Sequence, residues 1–134
     1  EEHRSLPIEV QAKDLFYTDL IDNVIIANAI PSSEELERLA RISKSLKTLK
    51  VEINPDAREL ERTIILNEPH FNRGDVSDYL IRSTQSRVKY KAETFPVFHT
   101  PDIKPGDIIV ESDLYKRYAG ELQVARKDMK NCAN

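Results

Sequence analysis

The 134-residue chain has no tryptophan, one cysteine, one methionine and three glycines. A lone thiol, Cys132, can form neither an internal disulfide nor a redox pair, which points to a reducing, cytoplasmic setting. With no histidine near it in sequence, Cys132 reads as a bystander rather than a nucleophile. No apolar run approaches the ~20 residues that a membrane helix needs, so no membrane partner is expected. The chain opens Glu1-Glu2-His3-Arg4, without an initiator Met, a basic start or an apolar signal core, so no secretory leader is expected in it. His3, His70 and His99 lack metal-ligand spacing and cysteine partners, so no metal is expected. Gly74, Gly106 and Gly120 stand alone, which rules out a phosphate-cradling glycine loop, and no cofactor is expected. The 20 basic and 23 acidic residues are interspersed, giving a net charge of -3 and no concentrated basic surface for nucleic acid. Arg82, Arg87, Lys89 and Lys91 are the local exception, and their alternation reads as one solvated strand face.

What is present is a globular balance, 40% hydrophobic and 32% charged. Residues 5–43 read as helix, buried strand, helix. Ser5 is placed to cap a helix with Pro7 in its first turn, followed by Ile8, Ala12, Leu15, Phe16 and Leu20 along one face. Asp22-Asn23 breaks the pattern, and Val24 to Ala27 is an apolar run suited to a parallel sheet covered on both faces. Pro31-Ser32-Ser33 with Glu34 and Glu35 starts a second helix, with Leu36, Leu39, Ala40 and Ile42 as its expected buried stripe. One buried strand between two helices leaves its backbone groups unpaired. Residues 1–43 are therefore expected to be the closing α-β-α piece of a larger α/β domain; a self-contained small fold is the alternative.

From residue 46 the period shifts to two. Strands are expected at Leu49–Ile53, Thr63–Leu66, Val88–Tyr90, Asp107–Glu111 and Leu122–Ala125, with a type II turn at Lys104-Pro105-Gly106-Asp107. One helix is expected from Asp75, as cap, to about Ser83, with Val76, Tyr79 and Leu80 inward. Residues 44–134 thus suggest a small, mainly antiparallel barrel or sandwich, and the chain as a whole an α+β fragment.

The polar stretch from Asn67 to Ser86 is the candidate site. A helix start offers free amides to an anion, Arg73 stands just outside it, and Arg82 follows two turns along the same face. His70, Asn72 and Ser83 are candidate orienting donors. The competing reading has Asp75 merely capping the helix and Arg73 paired with Glu68. Arg73-Gly74-Asp75 also spells an adhesion tripeptide, a motif that recurs by chance. Tyr115 and Tyr118, near Gly120, suit either sugar stacking or barrel packing.

His70-Phe71-Asn72-Arg73-Gly74-Asp75-Val76-Ser77-Asp78-Tyr79, with Ile81 to Arg87, resembles the signature of the MupG family of 6-phospho-N-acetylmuramidases. Lys104 to Ile108 and Tyr115 to Gln123 resemble its later blocks, and Glu2-His3-Arg4 and Asp22 to Ala29 are similar to its last barrel strands and loops. The resemblance implies a TIM barrel ending in residues 1–43 and a small cyclophilin-like β-barrel in 44–134 that is incomplete at its carboxy terminus. It implies hydrolysis of a phosphorylated amino-sugar disaccharide, MurNAc-6-phosphate–GlcNAc, in bacterial cell-wall recycling. It also implies a partner, the amino-terminal remainder of the barrel domain. Substrate-binding residues would be His70, Asn72, Arg73, Asp75, Arg82 and Ser83, with His3, Arg4 and Asn28 at the barrel mouth. Glu2 is the one candidate for a catalytic carboxylate, and a complete acid and nucleophile or base pair is not assignable. The chain alone is then expected to be inactive. The alternative is a non-enzymatic binding module, since Pro101 to Leu114 resembles the SAF domains that accompany sialic acid synthases.

Overall fold

The computed structural model describes residues 2–27, 30–43, 45–75, 77–98 and 101–131, with Glu2 described through its backbone alone. Expectations resting on Asn28, Ala29, Val76, His99 and Cys132, or on the Glu2 side chain, lie outside the described residues. The chain divides into two compact units, Glu1–Glu52 and Ile53–Asn134. Among the described residues no helix is long and apolar enough to cross a membrane.

The first unit holds a 3-10 turn, Glu2–Ser5, and two helices, α1 (Ile8–Phe16) and α2 (Ser33–Ala40). Pro7, not Ser5, occupies the cap position of α1; its carbonyl accepts from the amides of Val10 and Gln11. Ala12 is buried on the inward face, whereas Leu20 lies beyond the helix and is 87% exposed. α2 starts with a reciprocal capping box. The Glu35 amide donates to Ser32 Oγ at 3.1 Å, and the Ser32 amide donates to Glu35 Oε2 at 2.8 Å. Hydrogen bonding from Ser32 holds the Glu35 carboxyl below its ordinary pKa. Arg38 joins the two helices, 2.5 Å from Glu34 and 3.7 Å from Glu9 on α1. The buried stripe expected on α2 is not formed: no described residue of the helix is buried, and Leu36 is half exposed.

Val24 to Ala27 forms no strand, and Ile25 is 93% exposed. A strand is made by neighbours that satisfy its backbone, and the described residues of this unit offer none. The strand expected at Leu49–Ile53 is likewise not formed. Tyr17 Oη accepts the Thr48 amide, and Lys13 Nζ donates to the Thr48 carbonyl, so α1 rather than a sheet holds this segment.

The second unit is built on α3 (Glu59–Asn67), β1 (Leu80–Ser83), α4 (Gln85–Lys89), β2 (Ile108–Val110) and β3 (Leu122–Ala125). Three expectations are corrected here. Thr63–Leu66 belongs to α3, where Leu60 and Ile64 stand four residues apart and bring Ile64 to the core with no exposure. Leu80–Ser83 is strand instead of the end of a helix begun at Asp75, because it pairs antiparallel with β3. Val88 falls in the short helix α4, where Ser86 Oγ donates to the Gly120 carbonyl at 2.6 Å.

The sheet is antiparallel, ordered β1-β3-β2, and not closed. Its register places Ile81, Val124 and Ile108 on one face with Ser83, Leu122 and Val110. Leu122, Val110, Ile108 and Val124 on that face pack with Ile64 and Phe95. The opposite face carries Arg82 and Gln123. The turn before β2 forms as expected: the Asp107 amide donates to the Lys104 carbonyl, and Gly106 takes φ +94°. Gly120 is required for a different reason. At φ +77°, its missing Cβ would lie 2.5 Å from Phe95 Cε2.

Candidate active site

Arg82 and Glu121 meet on the sheet face opposite the apolar core, whereas Ser83 lies on the core face. Glu121, immediately before β3, alternates to the same face as Gln123 and Arg82. Its side chain is fully buried. Arg82 reaches Glu121 Oε1 through both Nε and Nη2 at 2.6 Å. Glu121 Oε2 lies 3.4 Å from Arg73 Nη1 and 3.5 Å from Arg87 Nε. One carboxylate thus meets three guanidinium groups, with charge-assisted hydrogen bonds from Arg82 and Arg73 and an ion pair with Arg87.

Tyr118 covers this cluster. Its ring centre lies 4.3 Å from the Arg82 guanidinium carbon and 5.2 Å from that of Arg87, close enough for cation–π attraction. Tyr115 meets Tyr118 edge to face at 4.9 Å. Burial works against the charged form of Arg82, but hydrogen bonds to Glu121 and Tyr118 outweigh it and raise its pKa. Glu111 lies on the neighbouring turn, where its backbone pairs with Gly120 and Glu121. Burial pushes the Glu111 carboxyl up; the Ser112 amide opposes, and the Glu121 charge reinforces.

Arg73 and Arg82 come together, but not by the expected route. No helix begins at Asp75; instead the Arg73 amide donates to the Arg82 carbonyl at 2.9 Å, closing the loop between them. The helix-end amides proposed for anion binding are therefore absent from this segment. Asp75 does not cap; its carboxylate accepts from Arg73 Nη2 at 2.7 Å. Glu68 does not hold Arg73. It binds Lys89 and Tyr90, and those hydrogen bonds, Lys89 first, lower its pKa.

His70 and Ser83 are also adjacent. His70 Nδ1 lies 2.8 Å from Ser83 Oγ, and Nε2 lies 2.7 Å from the Ile64 carbonyl, which can only accept. Nε2 therefore carries a proton, and the ring ties α3 to β1. Asn72 and Asp75, with Ser77, Leu80, Ile81 and Arg126, line a shallow cavity of about 220 Å³. In the first unit, His3 Nε2 lies 2.7 Å from Asp14 Oδ2, and Arg4 is engaged with partners of its own. Asn28 and the Glu2 side chain lie outside the described residues.

Glu121 and Arg87 were not singled out as site residues by sequence reasoning. The available signal was a lone acid directly before the strand Leu122 to Ala125, with period-2 alternation placing it on the side of Gln123. Its basic partners, 34 to 48 positions away, become visible only through the β1–β3 pairing.

Comparison with known proteins matches two segments of the chain. Residues 1–41 match the family described as 6-phospho-N-acetylmuramidase, N-terminal, and residues 47–134 match 6-phospho-N-acetylmuramidase, C-terminal. Comparison with curated proteins gives no match. Among solved structures, the chain is similar to one described as the crystal structure of an uncharacterized B. cereus protein. Identity is 45%, the TM-score is 0.91, and the likeness covers 97% of this chain and 38% of that one. The chain thus spans well under half the length of that structure. By the match of its two segments, it belongs to the 6-phospho-N-acetylmuramidase family.

Proposed function

We propose that this chain is the carboxy-terminal part of a cytoplasmic bacterial glycosidase that cleaves MurNAc-6-phosphate–GlcNAc during cell-wall recycling. On this reading residues 1–43 close a TIM barrel, and residues 44–134 form most of a cyclophilin-like β-barrel. The unpaired Val24–Ala27 then takes the position of a barrel strand whose neighbours belong to the rest of that domain. His3, Arg4 and Asn28 occupy the carboxyl-end loops, where such barrels carry their sites.

Glycoside hydrolysis uses two carboxylates, one protonating the leaving oxygen and one acting as nucleophile or as base toward water. Glu2 is this chain's candidate for one of them, and the remainder of the barrel supplies the other. The small unit's task is to hold the substrate. Arg73 and Arg82 bind its phosphate or lactyl carboxylate, Asn72 and Asp75 shape the adjoining wall, and His70 with Ser83 fixes the loop that carries them.

The convergence of Arg73 and Arg82 on one side of the sheet is the observation that carries this reading. It is tested with the full-length protein, by hydrolysis of the phosphorylated disaccharide and by calorimetric affinity for MurNAc-6-phosphate. Arg73→Ala and Arg82→Ala each remove charge-assisted hydrogen bonds and are expected to weaken binding about tenfold or more. Unchanged affinity in both variants refutes the clamp, and no hydrolysis by the unmodified protein refutes the activity.

A further inference from the structure

We infer that Arg87 is a third guanidinium of this anion site and that Glu121 is the positioning residue that sets all three, so that the site takes a phosphate monoester in preference to a carboxylate. The inference rests on the functional reading above and adds two residues and a ligand preference to it.

Arg82 holds the buried Glu121 carboxylate with two nitrogens on Oε1. The other oxygen faces Arg73 and Arg87 at 3.4 and 3.5 Å, longer than the 2.6 Å contacts of Arg82. Asp75 answers part of the Arg73 charge, Arg87 Nη1 donates to the Arg117 carbonyl, and burial disfavours the charged form of Glu111 beside them, so three guanidinium groups face chiefly the carboxylates of Glu121 and Asp75. Arg82 is covered by Tyr118, whereas the side chains of Arg73 and Arg87 keep 28% and 26% of their surface open to solvent. Arg73 and Arg87 are therefore the more open members of the three. A phosphate monoester offers three terminal oxygens and up to two negative charges, against two oxygens and one charge for a carboxylate. Guanidinium groups approaching from separate positions suit the former.

The test uses the full-length protein and measures kcat and KM for the phosphorylated disaccharide, with inorganic phosphate and acetate as competitors. Arg87→Lys keeps the charge but loses the planar fork. It is expected to raise KM and the phosphate inhibition constant together by about tenfold, leaving kcat within about twofold. Glu121→Gln replaces an acceptor oxygen by a donor facing guanidinium groups and is expected to do the same, with Glu121→Asp falling between it and the unmodified protein. A purely structural role would lower the active fraction, and so kcat, without moving KM. The inference is overturned if Arg87→Lys leaves KM unchanged, if Glu121→Gln lowers it, or if acetate competes as well as phosphate. Should Glu121→Gln fail to fold, Arg87→Lys decides. If the unmodified protein does not hydrolyse the disaccharide, the functional reading falls. Calorimetric binding of inorganic phosphate, lost in Arg87→Lys, still decides the anion site separately.

Discussion

Replacing Gly120 by alanine tests how tightly the apolar core and the charged cluster are joined. Two independent costs act at this position. The backbone sits at φ +77°, where an L side chain costs about 1–2 kcal/mol. The added methyl would also meet the Phe95 ring at 2.5 Å. That ring is in the core, and its residue is fixed at both backbone groups. The Phe95 amide donates to Asp113 Oδ2 and its carbonyl accepts the Asp113 amide, each at 2.7 Å. With the backbone held, relief must come from the ring or from the Gly120 strand, and overpacking of this kind costs about 1–3 kcal/mol. Gly120→Ala is thus expected to destabilise the unit by about 2–5 kcal/mol. Gly106→Ala provides the control. Gly106 has φ +94° but nothing within 4 Å of the added methyl, so only the conformational cost of about 1–2 kcal/mol applies. Amide hydrogen exchange across Leu122–Ala125 in the full-length protein reads the opening of the sheet that both glycines flank. If Gly120→Ala lowers protection no more than Gly106→Ala does, the packing of Phe95 over Gly120 does not constrain this sheet and the reasoning fails.

Two further predictions concern pH and chain context. Burial raises the Glu111 pKa, so the folded state binds that proton more tightly than the unfolded chain. Its stabilising contribution is complete below the ordinary carboxylate range and is lost as pH rises through the raised value. Glu111→Gln should therefore remove this slope and leave β2 and β3 better protected at neutral pH; an unchanged pH profile in the variant would contradict it. The 134-residue chain expressed alone is expected to show no turnover of the phosphorylated disaccharide and to self-associate. Leu20, Ile25 and Ile30 are 87%, 93% and 90% exposed, and such surface in water favours association. A monodisperse chain that hydrolyses the substrate would remove the reading of these residues as a barrel's end.

Local chemistry was legible where a few adjacent residues decide the outcome. Ser32 with Glu35 fixes the start of α2, and Pro105-Gly106 fixes the turn before β2, because each geometry is closed by bonds three residues apart. Short apolar runs were not legible in the same way. Thr63–Leu66 fits a strand and a buried helix equally well, and the acids Glu59 and Glu61 at the helix start were the deciding signal. Asp75 looked like a cap, but pairing of Leu80–Ser83 with β3 overrode that local preference. Val24–Ala27 carries the composition of a covered strand and remains unpaired, since composition does not supply neighbours.

The arginine pair shows how a correct juxtaposition can follow from an incorrect geometry. Helical spacing placed Arg73 and Arg82 on one face, whereas the structure joins them by a backbone hydrogen bond and a shared carboxylate. The distinction changes the chemistry. On a helix surface both side chains would be mobile and would have to be ordered by the ligand. Around Glu121 they are ordered before any ligand arrives, so less side-chain entropy is lost on binding. The same carboxylate offsets part of their charge, which lowers the general attraction for anions. A cluster of this kind gives up raw electrostatic strength for fixed geometry, which favours discrimination among anionic groups by shape.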